Sequence, residues 1–280
     1  ARPLAGKGMP AVSDDTPEAE ALLRIALALA DAARAATLPW FRRADLHAED
    51  KGTAGRFDPV TAADRAAEEA MRAILARERP DDAILGEEFG ATSGTSGITW
   101  VLDPVDGTRA FLAGAPTWGV LIAASRDDGP VVGVIDQPFI GERFVGTPSG
   151  AWTDGPQGRA ALRTRAPRPL AQALLLSTFP EVGTEAERTG FHALASRVRL
   201  TRYGLDCYGY ALLAAGGVDL VVEAGLHPYD IHAPAGVIAA AGGLVTDWRG
   251  RPALAGGRVL AAANPEIHAD ALAILSQVPE

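Results

Sequence analysis

Two aspartates three positions apart, Asp103 and Asp106, lie in the stretch WVLDPVDGTRAF among the apolar residues Trp100, Val101, Leu102 and Val105. An unpaired carboxylate in a buried strand is costly. Two carboxylates brought together repel, and one keeps its proton unless a cation sits between them. Pro104 is expected to end the strand and turn the chain, bringing both carboxylates to the strand's carboxyl edge. Gly107 and Thr108 follow with backbone N–H groups and a hydroxyl, the groups that hold an anion at a helix start. Hard oxygen donors beside an anion cradle suit a divalent metal and a phosphate. Asp-Gly turns are also frequent on ordinary surfaces, so the motif alone leaves both readings open.

Three further stretches carry carboxylates of the right kind. Leu85-Gly86-Glu87-Glu88-Phe89-Gly90 puts two acids at the end of an apolar run. Asp230 falls at the start of an Ala/Ile-rich helix, where a carboxylate meets the positive end of the dipole. Asp64 stands three residues after Thr61, a box-like helix start that could also orient a hydroxyl or a water. Each has a local explanation as a solvated turn or a helix cap.

The elements that must position these residues can be read from periodicity. Apolar spacing predicts helices over 18–36, 58–79, 185–197, 208–216, 229–241 and 265–275. Short strands are expected at 83–85, 99–102, 119–124, 131–135, 142–146 and 151–153, separated by Gly, Pro and Asp. Their spacing suggests a largely antiparallel sheet, with 91–97 as a polar loop. Further strands are expected at 173–177, 198–202, 220–223, 244–247 and 259–262, alternating with helices. The prolines and basic residues of 163–170 mark a boundary. Residues 9–165 then form an N-terminal α+β domain with most of the acids, and 166–280 a C-terminal α/β domain bearing Asp230. Residues 1–8 read as a remnant outside the fold.

Bulk properties narrow the partners. The chain has 280 residues and a net charge of −9, from 35 acids and 26 bases. That argues against sequence-independent nucleic-acid binding, and no apolar run is long enough to span a membrane. An anionic substrate stays open, because a bound cation reverses the local field. The single cysteine, Cys207, permits no intrachain disulfide and points to a reducing, cytoplasmic setting. It reads as a small packed residue, and Trp118 as core. His227 and His232 read as structural or solvated.

Taken in order, Glu87-Glu88, then Asp103-Pro-Val-Asp106-Gly-Thr sixteen residues after Glu87, then Asp230 at a helix start, the chain resembles the inositol monophosphatase superfamily from about Glu18 to Leu275. The resemblance implies a layered αβαβα sandwich, an α+β or α/β fold, and a homodimer. It implies two or three Mg²⁺ ions held by Glu87, Asp103, the Val105 carbonyl, Asp106 and Asp230. Glu87, Thr108 and Asp64 would be catalytic, with Thr108 activating water and Asp64 pairing with its hydroxyl. Asp106, Gly107, Thr108, Gly204, Asp206, Glu223 and Asp230 would contact a small phosphate ester.

Within the superfamily, TRAFLAGAPTWGVLIA, GVIDQPFIGERFVG and TRYGLDCYGYALLAAG resemble the histidinol-phosphate phosphatase branch, as does the short Glu87–Asp103 step. Asp206 stands where the inositol branch tends to have a small residue. With Glu223 it would suit the ammonium of histidinol phosphate, unless it only caps the helix that follows. Inositol 1-phosphate or another sugar or nucleotide phosphate is the alternative substrate. A non-catalytic metal-binding or interaction protein is the alternative of a different class.

Overall fold

The computed structural model describes residues 16–44, 48–50 and 59–279. The expected remnant 1–8 and Asp58, the first residue of the expected helix 58–79, lie outside these residues. Helix α1 (Thr16–Thr37) is followed by a two-stranded ribbon, β1 (Ala48–Asp50) with β2 (Pro59–Thr61), and by α2 (Ala62–Glu78). Next come β3 (Ala83–Gly86), β4 (Gly90–Thr92), β5 (Thr99–Asp106), α3 (Thr108–Ala113), β6 (Gly119–Arg126), β7 (Gly129–Gln137), β8 (Glu142–Thr147), β9 (Gly150–Gly155) and β10 (Gly158–Ala161). These eight strands form one sheet, ordered β10-β9-β8-β7-β6-β5-β3-β4, antiparallel except for the parallel β3–β5 pair.

The second sheet is built from β11 (Leu174–Ser177), β12 (Leu200–Tyr203), β13 (Leu220–Leu226), β14 (Leu244–Thr246) and β15 (Gly257–Ala262), ordered β12-β11-β13-β15-β14. Between these strands run α4 (Glu185–Ala195), α5 (Cys207–Ala214) and α6 (Pro228–Ala240), and α7 (Pro265–Leu275) closes the chain.

Strand alternation builds five layers. Trp100, Leu102, Val120, Ile122 and Val134 point to one face of the large sheet and pack on α1 and α2 through Leu22, Ile25, Leu29 and Met71. Val101, Leu121, Ala123 and Ile135 point to the other face, against Tyr210, Ile231, Val237 and Ile238 of α5 and α6. Those two helices also cover Leu176, Val221, Val259 and Ala261 of the small sheet. Its far face, Leu175, Leu220, Val222 and Leu260, packs on Phe191 and Leu194 of α4 and on Ile267, Ala271 and Leu275 of α7. The order is therefore αβαβα, the layered α+β sandwich expected. Strands covered on both faces are apolar throughout, which is why they read as continuous runs.

Four local expectations need correction. Helix α2 starts at Ala62, because Pro59–Thr61 pairs with β1. The expected strand 198–202 is shifted to Leu200–Tyr203. Ala91 and Thr92, read as loop, form β4 and pair with Leu85 and Ile84. Pro104 does not end its strand: β5 runs on to Asp106, with a register irregularity between Asp103 and Asp106. The β3 side of β5 is paired only as far as Leu102, so at Pro104 one side of the strand is open and a missing N–H costs little. A bulge, rather than a turn, aims the two carboxylates.

Candidate active site

The carboxyl end of β5 opens into a cleft between the two sheets. Glu87, Asp103, Val105, Asp106, Gly107 and Thr108 line it from the first half of the chain, and Asp206, Glu223 and Asp230 from the second. Oxygen atoms of Asp103, Asp106 and Asp230 lie within 4.8 Å of one another. Burial, then the neighbouring charges of Glu87, Asp106 and Asp230, push Asp103 well above the usual carboxylate range. Burial, then Asp206 and Asp230, do the same to Asp106. Burial pushes Asp230 up to about 6.

Each of these carboxylates is anchored by a backbone N–H. Asp103 Oδ1 accepts the Val105 N–H at 3.0 Å across the bulge. Asp230 occupies the third position of α6 and takes the His227 N–H at 2.6 Å. Asp106 Oδ2 takes the Cys207 N–H at 2.6 Å, so it caps α5 from across the cleft. Among the described residues the expected cap, Asp206, makes no side-chain capping bond to α5. Instead Thr117 donates to Asp206 Oδ2 at 3.3 Å.

Asp206 has φ 48° and ψ −141°, a conformation that only glycine adopts without strain. Burial and the Glu223 charge push it up to about 6, against the opposing effects of Thr117 and Arg109. Gly107 faces it at φ 82°, and a Cβ there would lie 2.8 Å from Asp206 Cγ. Glycine is thus required at 107 for both conformation and space. Glu223 is buried; its Oε1 accepts the Thr178 N–H at 2.9 Å and the Thr178 hydroxyl, and its Oε2 accepts the Tyr210 hydroxyl at 2.8 Å. Gly204 is exposed, and its carbonyl accepts the Thr117 hydroxyl at 3.3 Å.

Asp64 stands behind Thr108. Its Oδ2 is taken up by the Thr61 N–H (2.9 Å) and hydroxyl (2.5 Å), the capping box of α2. Its Oδ1 lies 3.4 Å from the Thr108 hydroxyl, which is also 3.1 Å from the Val105 carbonyl. That carbonyl has a second lone pair for another partner. Burial pushes Asp64 up to about 6 despite its bonds to Thr61.

Seven carboxylates line the cleft: Glu87, Asp103, Asp106, Glu181, Asp206, Glu223 and Asp230; Arg109 is the only arginine among the lining residues. Such a field repels a phosphate. The donors are all hard oxygens, and a divalent cation among them removes both the repulsion between the acids and the barrier to an anion. The residues present therefore fit a metal of the Mg²⁺ or Mn²⁺ kind.

Sequence reading missed Arg109, Thr178, Phe179 and Tyr210 on the cleft wall. The Arg109 guanidinium lies 5.0 Å from the Phe179 ring centroid, a contact between distant segments with no local sequence signal. Exposed His227 lies at the rim, stacked on Tyr229 at 5.1 Å. Trp118 is buried with Phe41 and Phe111, as expected, away from the cleft. Buried Cys207 has its thiol pushed up by burial and by Asp106, which leaves it a poor nucleophile.

A sequence profile of the inositol monophosphatase family matches residues 18–280. The histidinol-phosphatase of Streptomyces coelicolor is 38% identical over 265 residues, covering 91% of this chain and 97% of its own. The probable inositol 1-monophosphatase ImpA of Mycobacterium tuberculosis is 32% identical over 272 residues, covering 92% and 95%. Among solved structures, an inositol monophosphatase from Zymomonas mobilis superposes with a TM-score of 0.80 at 39% identity, covering 92% of this chain and 98% of that one.

Proposed function

This chain belongs to the inositol monophosphatase family, and on that premise we propose that it is a Mg²⁺-dependent phosphomonoesterase that hydrolyses L-histidinol phosphate to L-histidinol and phosphate. The observation that carries the reading is the convergence of Asp103, Asp106 and Asp230 within 4.8 Å, in a cleft that also holds Glu87 and Thr108. Glu87, Asp103, Asp106, Asp230 and the Val105 carbonyl would hold the ions. What such ions supply when bound is neutralisation of the phosphate, a more acidic water and stabilisation of the leaving alkoxide.

The chain's own groups position the ester and move the protons. The Gly107 and Thr108 amides hold phosphate oxygens. The Thr108 hydroxyl accepts a proton from the attacking water as it passes its own to Asp64 Oδ1. With Asp64 raised to about 6, that carboxylate takes a share of a proton more readily than an ordinary one. Fixing Oδ2 in the Thr61 capping box leaves Oδ1 for this role.

The substrate assignment is supported by the acids on the leaving-group wall. Asp206 is raised by its neighbour Glu223, and an ammonium placed between them relieves that repulsion by charge-assisted hydrogen bonding. Glu223 already accepts three hydrogen bonds, so direct contact falls mainly to Asp206. The 38% identity to a histidinol-phosphatase supports the same reading. Inositol 1-phosphate is the second reading, favoured by the 39% identity to the Zymomonas mobilis inositol monophosphatase.

Phosphate release is measured from histidinol phosphate, inositol 1-phosphate, fructose 1,6-bisphosphate and phosphoadenosine phosphate, with and without Mg²⁺. The expected result is Mg²⁺-dependent turnover with the highest kcat/KM for histidinol phosphate. A preference for inositol 1-phosphate selects the second reading, and no release from any ester favours a non-catalytic metal-binding protein. We also propose a cytoplasmic homodimer, from the cysteine usage and the resemblance; sedimentation velocity tests the dimer.

A further inference from the structure

We propose that Glu68, which the reaction scheme does not use, is the positioning residue for the Glu87 turn and thereby sets the affinity of the cleft for its divalent cation. The proposal rests on the reading of Glu87 as a metal ligand. Glu68 lies on α2, one turn beyond Asp64, and is fully buried. A buried carboxylate needs strong partners. Glu68 takes its partners from the turn and from one arginine. Its Oε2 accepts the Glu88 N–H at 2.7 Å, and its Oε1 accepts the Phe89 N–H at 3.2 Å and Arg72 Nε at 2.7 Å.

Arg72 completes the clamp. Its Nη2 donates to the Gly90 carbonyl at 2.5 Å and its Nη1 to Thr92 Oγ1 at 3.0 Å. On the near side, the Glu87 N–H is held by the Leu102 carbonyl of β5 at 3.2 Å. The backbone is therefore tied down on both sides of the Glu87 side chain. Gly86 shows how close the fit is. A Cβ there would overlap the Glu68 carboxylate, and Gly86 is not in the left-handed region, so glycine serves space and not conformation.

The pairing with Arg72 lets Glu68 orient the turn while adding little to the negative field of the cleft. Asp64 and Glu68 are four residues apart and share one face of α2. One turn of a single rigid helix thus reaches Thr108 through Asp64 and the Glu87 turn through Glu68. Supporting groups of this kind typically change metal affinity by about 10- to 100-fold.

Mn²⁺ binding is titrated calorimetrically against metal-free wild type, Glu68→Gln, Arg72→Lys and Glu87→Gln, with kcat and KM measured at saturating metal. Glu68→Gln is expected to weaken Mn²⁺ binding about tenfold or more, with KM for the ester unchanged once metal saturates. Arg72→Lys keeps the charge, loses the fork and is expected to weaken binding by less; it stands in should Glu68→Gln fail to fold. A merely structural role would lower the melting temperature of the metal-free protein without moving the Mn²⁺ affinity of folded protein. Wild-type Mn²⁺ affinity in the folded variants of Glu68 and Arg72, alongside weakened binding in Glu87→Gln, overturns the proposal alone. Wild-type affinity in Glu87→Gln instead overturns the metal-ligand reading, and the proposal with it.

Discussion

Asp103 lies within 4.8 Å of Asp106 and Asp230 and feels the charge of Glu87 as well, so its loss is the most direct test of the chemistry. Asp103→Asn is expected to lower the Mg²⁺-dependent rate by roughly 100-fold or more, as for the loss of one strong electrostatic stabiliser; phosphate release at saturating Mg²⁺ checks this. Asp206 offers a different trade. Its backbone is strained, and such strain costs of order 1–3 kcal/mol. Asp206→Gly removes both the carboxylate and the strain. It is expected to raise KM for histidinol phosphate about tenfold, a loss of about 1.4 kcal/mol, with KM for inositol 1-phosphate unchanged and the melting temperature equal or higher. Equal losses on both esters would remove the ammonium-binding role. The meeting of Asp103, Asp106 and Asp230 was legible only through the order of the acidic motifs along the chain and the family resemblance that order carries, since each motif alone reads equally as a turn or a helix cap. Glu68, Arg109 and Tyr210 were not legible, because each owes its role to which segment it meets in three dimensions.

Among elements, the central strands and long helices were legible from their apolar runs and spacing. The misses were short or exceptional. β4 has three residues and is mostly exposed, so pairing with β3 creates it and no pattern announces it. Pro104 misled because its tolerance depends on where β3 stops, which the local sequence does not state. Helix α6 supplies an element-level prediction. His232 on α6 meets Ser125 Oγ of β6 at 2.8 Å and the Leu254 carbonyl at 3.1 Å. Burial lowers its pKa below the ordinary histidine value. The unfolded chain therefore binds the extra proton first as pH falls, so this contribution is present above about pH 6.5 and is lost below it. Half-buried His268 is shifted the same way by burial. His232→Gln is expected to flatten the fall of urea-unfolding stability between about pH 7 and 5; an unchanged slope would assign the fall to other groups.

At the scale of the whole molecule, α5 and α6 are packed by both sheets at once, and the acids of the cleft come from both halves of the chain. Thermal unfolding is expected as a single calorimetric transition, since neither sheet keeps its inner face covered without the other. A divalent cation that binds only the assembled cleft stabilises by mass action, about 2.7 kcal/mol at 100 times its Kd. The melting temperature is therefore expected to rise with Mg²⁺ and to fall on chelation; a melting temperature indifferent to Mg²⁺ would deny that the two halves share an ion. The cap that Asp106 places on Cys207 across the cleft has a bearing on how such a protein can diversify. The loop it secures carries Asp206, so the segment proposed to meet the leaving group is tied directly to a carboxylate proposed to hold the cation. Exchanging residues 203–208 for those of a relative, with Gly107 retained, is then a route to new ester preferences from an inherited hydrolytic centre.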